Sequence, residues 1–442
     1  MQRDVRGLPL TTDSAAAVGL FDQAVEHYLK YHADTVPLVT QSLAEDPSFL
    51  MGHCLKAYLL LFTAIPAHRT IVAASRAAAA AMAPLATRRE QLHVAALTAW
   101  EAGAVDQAFA AWRNILDAHP TDLLALQISD RIWFRHGQTA AILEQADRLA
   151  PFWGTDVQGH DCFQAVWAFA HEEVGDTAGA ERAVDAALDS DRTNYFAHHV
   201  KAHVFDTDRR VNEGRDWLAA QVAHWTHGNN LIHHLWWHRA LMELDLGETE
   251  AVLASYDANI RNLNEPMTRA APDHYVDLQN ATSLLWRLDQ LGVPVGNRWQ
   301  ELAEKAEVRI GDAGHLLLVP HLMLALAATG RSAAAERFLA TLQEIASESL
   351  WTAPAVTKVV IPVCRAALAH RHGDHARVVD LLWPIREQIR LLGGSNAQRD
   401  IFLQMLADGA MKTGQREMVA AMLADQTSSS RSGYAAAARW LS

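Results

Sequence analysis

Gly175-Asp176-Thr177-Ala178-Gly179-Ala180-Glu181-Arg182-Ala183-Val184-Asp185-Ala186-Ala187 is a glycine, a polar pair and then an alanine-rich segment. Ala180, Ala183, Val184 and Ala187 fall three and four residues apart, the spacing of one helical face. Alanine also has the best intrinsic helix propensity and allows close helix packing. The stretch therefore predicts a turn that opens the second helix of a hairpin. The same form recurs at Gly103, Gly137, Gly214, Gly247, Gly330, Gly373 and Gly414. Successive gaps, with Gly175 in place, are 34, 38, 39, 33, 83, 43 and 41 residues, and 83 is about two units. Such a period marks a helix–turn–helix array. Gly214 fits least well, because a helix runs from about Asn212.

Working outward, first helices are expected near 48–64, 86–102, 121–136, 160–174, 193–206, 229–246, 273–291, 314–329, 355–372 and 395–413. Strand signals are nearly absent, since no alternating run rich in Val, Ile and Thr lies between turn residues. The expected fold is all-α, a right-handed helical-repeat solenoid of about nine to ten hairpins forming one domain over 1–442.

Composition narrows the function. The 442 residues carry 38 Lys+Arg against 51 Asp+Glu, a net charge of −13, which argues against a general nucleic-acid binder. Half the residues are hydrophobic, enough for a large core. Three distant cysteines, Cys54, Cys162 and Cys364, make neither a disulfide framework nor a cysteine zinc site. The N-terminus has no secretory pattern and the most apolar run, 315–330, is broken by Pro320 and His321. A cytoplasmic protein that engages no membrane is expected, and a homo-oligomer stays open. The unusual count is histidine, at 23.

Four of those histidines share one phase of the repeat. His199 and His203 are four apart, with Asp206 three further on; His234 and His238 are also four apart. Both pairs repeat at 35 residues, so stacked first helices would bring four imidazoles together. Three chemistries fit. The four histidines could hold zinc or another divalent ion. They could act without metal, His203 and His238 as acid–base groups with Asp206 orienting one ring. Or they could be packed and hydrogen-bonded structural residues.

Further polar residues follow on the next first helices. Asp277, Asn280, Ser283 and Arg287 form one stripe, readable as a solvated face or as a binding surface. Arg287 lies among leucines and needs a partner, for which a ligand carboxylate is one candidate. His321, surrounded by leucines, reads most simply as a core histidine. Ser395 and Gln398 make a capping box, while Asn396, Arg399 and Asp400 stand at a helix N-terminus that suits either an anion or ion pairs between repeats. Nucleotide-loop, serine-hydrolase and H-E-x-x-H motifs are absent.

The Gly175 turn with its helix, and Gly103 with Ala108, Ala111 and Pro120, resemble a tetratricopeptide repeat. Over nearly the whole chain the sequence also resembles the tetratricopeptide repeat protein 38 family. The likeness rests on His199-Val200-Lys201-Ala202-His203-Val204-Phe205-Asp206, His234-Leu235-Trp236-Trp237-His238, Ala281-Thr282-Ser283-Leu284-Leu285-Trp286-Arg287-Leu288 and Leu392-Gly393-Gly394-Ser395-Asn396-Ala397-Gln398-Arg399-Asp400. It implies a closed helical-repeat domain whose first helices line the concave face, and supplies no reaction. Asn280 stands where an aspartate would be expected of relatives, which weakens a catalytic role there.

The sequence thus leads to a small polar or anionic ligand in a His/Asp/Arg-lined cavity, with acid–base or hydrolytic chemistry open. Candidate contacts are His199, His234, Asn280, Arg287, His321, Asn396, Arg399 and Asp400, around His203, His238 and Asp206. A scaffold for a peptide or protein and a metal-dependent hydrolase are the competing readings.

Overall fold

The computed structural model describes residues 1–348, 350–425 and 432–442. Among them the chain is almost wholly helical, with one short antiparallel ribbon pairing Gln2–Arg3 with Pro9–Leu10. The expected first helices form at Leu50–Phe62, Arg88–Glu101, Leu123–Arg135, His160–Glu173, Tyr195–Thr207, Leu231–Asp245, Tyr275–Gln290, Leu318–Ala328, Ile361–Arg371 and Asn396–Lys412. Several pack on the helix that follows, as His160–Glu173 does on Thr177–Ser190.

The turn chemistry explains the regularity. Gly175 takes a φ of 87°, where an L side chain would be strained, and Asp176 then accepts the Gly179 amide at 2.9 Å to open the next helix. Seven of the eight turn glycines of the sequence have positive φ, and Gly292 supplies the turn missing from the 83-residue gap. Gly214 is the exception and lies inside Val211–Gln221. Arg209, at φ 59°, makes that turn. A Cβ at Gly214 would lie 2.7 Å from the Phe205 Cβ, so this glycine serves close packing.

Residues 1–133, 139–200 and 224–229 form one compact unit, and residues 134–138, 201–223 and 230–442 form another. The first holds a buried polar network around Asp122. Arg89 Nη1 donates to Asp122 Oδ2 at 2.7 Å, His93 Nε2 lies 3.1 Å from the same oxygen, and the Ala125 amide donates to Oδ1 at 2.9 Å. In the second unit one continuous apolar core runs from Trp237 to Ala437. There Tyr275–Gln290 packs against Leu231–Asp245, Leu318–Ala328 and Asn396–Lys412. No helix among the described residues is long and apolar enough to cross a membrane.

Candidate functional site

Three of the four singled-out imidazoles lie in the second unit, and the structure brings them together. His203 is near the end of Tyr195–Thr207; His234 and His238 occupy successive turns of Leu231–Asp245. His238 is the hub: its ring centroid is 4.6 Å from that of His203 and 4.6 Å from that of His234. Each of the three can offer one ring nitrogen within 4.8 Å of the others'. All are buried, at 2%, 4% and 1% exposure for His203, His234 and His238. His199, one turn before His203 on the same helix, belongs to the first unit and packs between Phe169 and Phe196. Asp206 is half-buried, one turn beyond His203.

His234 is the best-oriented member. Its Nδ1 lies 2.8 Å from Asn280 Oδ1, so Nδ1 carries the proton and Nε2 the lone pair. Its ring stacks on Trp237 at 4.9 Å and 11°. Burial holds its pKa down to about 3, against the opposing Asn280 hydrogen bond. The imidazole is therefore neutral at physiological pH. Asn280 is fully buried, and among the described residues neither its Nδ2 nor Trp237 Nε1 has a hydrogen-bond partner. Two buried N–H donors beside the cluster remain available to an acceptor, and an unsatisfied buried donor costs about 1–3 kcal/mol.

The stripe on Tyr275–Gln290 is an interior face, not a solvated one: Asp277, Asn280, Ser283 and Arg287 are 0%, 0%, 1% and 3% exposed. Its residues go to different partners. Asp277 accepts from Asn230 Nδ2 at 2.7 Å, with His233 Nδ1 at 3.2 Å and His274 Nδ1 at 3.6 Å. Those hydrogen bonds and charges hold its carboxyl well below the usual range despite burial, and Asp277 in turn raises the His233 pKa against burial. Arg287 donates to the Ser283 hydroxyl and to the Ala397 carbonyl at 3.2 Å, and lies 3.9 Å from Asp400. Its guanidinium thus has protein partners in the role considered for a ligand carboxylate.

The remaining candidates sit nearby in the same unit. His321 Nδ1 lies 2.8 Å from the Leu317 carbonyl, and its ring meets Phe402 edge-on at 5.3 Å. Burial lowers its pKa to about 4. Ser395 and Gln398 form the expected capping box. Arg399 donates to the Gly394 carbonyl and to Asn396 Oδ1 at 2.6 Å, and Asp400 accepts from Gln404. This segment is tied together by its own side chains. Asn280-Ala281-Thr282, a sequon on paper, is buried throughout.

Sequence reasoning missed Asn230, His233 and Gln404 here, and the whole Arg89–His93–Asp122 network of the first unit. A signal existed for the latter: Arg89 and His93 are four apart on one predicted helix, and Tyr58, whose hydroxyl donates to the His93 carbonyl at 2.8 Å, lies 35 residues earlier. No known protein-family model matches the chain.

Proposed function

We propose that the second unit is a metal-binding module, with a divalent transition ion, zinc as the type case, held by His203, His234 and His238. The observation that carries this is the convergence of three buried ring nitrogens within 4.8 Å of one another. Zinc–nitrogen bonds of about 2.0–2.1 Å place tetrahedral donors about 3.3 Å apart, a contraction that small side-chain adjustments supply. The burial that keeps His234 neutral favours its ligating form, because a neutral imidazole binds an ion with no proton to displace. A Nδ1–H held by an amide oxygen, as in His234, is the usual outer-shell support of a metal-bound histidine.

With three histidine donors the ion keeps one of its four positions open. In that open form a small polar or anionic molecule binds at the ion, with Asn280 Nδ2 and Trp237 Nε1 as donors to its oxygens. Such an ion supplies Lewis-acid polarisation or an activated water, which makes hydrolytic chemistry the reaction class. A metal-free general base is the weaker reading, since the lowered His234 pKa lies far from neutrality. The reading includes a tetratricopeptide-like solenoid, in keeping with ten helices at the expected places, and the kinship with the repeat protein 38 family that the quoted segments imply.

The test is metal content and titration of the full chain. Protein purified without chelator should hold about one equivalent of transition metal. Chelator-stripped protein should bind one cobalt(II) with visible bands of low-symmetry coordination, and the His203→Ala/His238→Ala variant should not. Less than about a tenth of an equivalent, with no cobalt spectrum from a folded wild type, would sink the proposal.

A further inference from the structure

A second feature of the same unit lies away from the histidine cluster. The last turns of Tyr275–Gln290, Leu318–Ala328, Ile361–Arg371 and Asn396–Lys412 border a cavity of about 290 Å³. Trp286 and Trp299 supply apolar walls, and Asp289, His370, Arg371 and Lys412 supply charge. Its size suits a ligand at the small end of the usual range.

The sign of the missing charge follows from the pairing around it. Lys412 Nζ lies 2.8 Å from Asp408 Oδ2, and His370 Nε2 lies 2.8 Å from the same oxygen. Arg371 Nη2 donates to the Ala328 carbonyl at 3.1 Å, as a cation does at a helix C-terminus. Asp289 differs. Trp299 Nε1 donates to its Oδ2 at 2.8 Å, and among the described residues no group donates to Oδ1. Burial raises the Asp289 pKa, opposed by the Trp299 bond and the charge of Arg371. The four helix C-termini add partial negative charge on the same side. Two indoles beside an incompletely neutralised carboxylate match the chemistry that recognises an organic cation.

We infer that this cavity binds a small organic cation, a primary ammonium or guanidinium on an apolar body, with the charge at Asp289 Oδ1 and the body against Trp286 and Trp299. The site is independent of the metal proposal, and its readout does not involve metal.

The probe is 2-phenylethylammonium, titrated into the full chain and followed by tryptophan fluorescence and calorimetry, with 3-phenylpropionate and inorganic phosphate as anionic controls. The ammonium should bind saturably and the anions should not. Asp289→Asn should weaken binding at least tenfold with an unchanged circular dichroism spectrum. Arg371→Ala, which removes the opposing cation, should tighten it severalfold. Preferential binding of either anion, unchanged affinity in Asp289→Asn, weaker affinity in Arg371→Ala, or no saturable binding of the ammonium would each overturn the inference.

Discussion

The two units each bury histidine among polar groups, and they resolve it in opposite ways. In the first, His93 is fully buried but closed into a network: Asp122 faces both His93 and Arg89, and Arg89 also donates to the Pro9 carbonyl at 3.1 Å. Carboxylate and guanidinium neutralise each other, and the imidazole completes the set. In the second, His238 faces the rings of His203 and His234. A histidine beside a paired carboxylate is a finished structural element. Imidazoles gathered on one another supply donor atoms without a centre. The second unit contains its own control, because the adjacent His233 is tied to Asp277 while His234 is not.

The comparison breaks most readily at Asp122. Asp122→Ala leaves the Arg89 guanidinium buried without its counterion, and breaking such a pair costs about 3–5 kcal/mol. Chemical denaturation should register that loss in the first unit, with metal content unchanged. An effect below about 1 kcal/mol would show the network to be replaceable. Next in size is His238→Ala, which removes the hub of the cluster. Zinc affinity should fall a hundredfold or more, about 2.7 kcal/mol, and added zinc should no longer raise the melting temperature. If apo and zinc-loaded melts of the wild type already coincide, the proposed contrast between the units fails.

Asn280 sharpens the contrast by a smaller step. Asn280→Ala removes the group that fixes His234 and should weaken zinc by about 10–100-fold, the usual effect of losing an outer-shell partner. Asn280→Asp should retain or improve affinity, because a carboxylate accepts the same Nδ1–H and makes the ring more basic. Equal affinity in wild type and Asn280→Ala would mean that His234 does not ligate.

Much of this was legible from spacing. The helix expected at 193–206 forms at Tyr195–Thr207 and that at 229–246 forms at Leu231–Asp245, since glycines at positive φ punctuate the chain where the period requires. The juxtaposition of His203 with His238 followed from the 35-residue repeat. Contacts outside that period were illegible. Arg287 reaches Asp400 and the Ala397 carbonyl, 113 and 110 residues on, because Tyr275–Gln290 packs directly on Asn396–Lys412. Asp277 was read on the stripe of Asn280, but a helix turns about 300° in three residues, and that offset is enough to send it to His233 and Asn230 instead. Trp237 is part of the core, yet it also provides the stacking face for His234.

Asp130 tests whether a closed network is general to the first unit. It is fully buried; Gln145 Nε2 donates to Oδ1 at 2.7 Å, and among the described residues Oδ2 has no hydrogen-bond partner. Burial pushes its pKa up to about 7, against the charge of Arg131 and the Gln145 bond. The folded state therefore keeps a proton that the unfolded chain loses near the ordinary carboxyl value of 3.8. Stability falls as pH rises between those values, and the loss is complete above about 7. Asp130→Asn removes the ionisable group while keeping its shape. The variant should match wild type near pH 4 and melt at a clearly higher temperature at pH 8. Asp22, raised to about 7 mainly by burial, gives the same trend in both proteins and cancels in the difference. A gain that is the same at pH 4 and pH 8 would mean that Asp130 is ionised in the fold throughout, closed into its surroundings as Asp122 is.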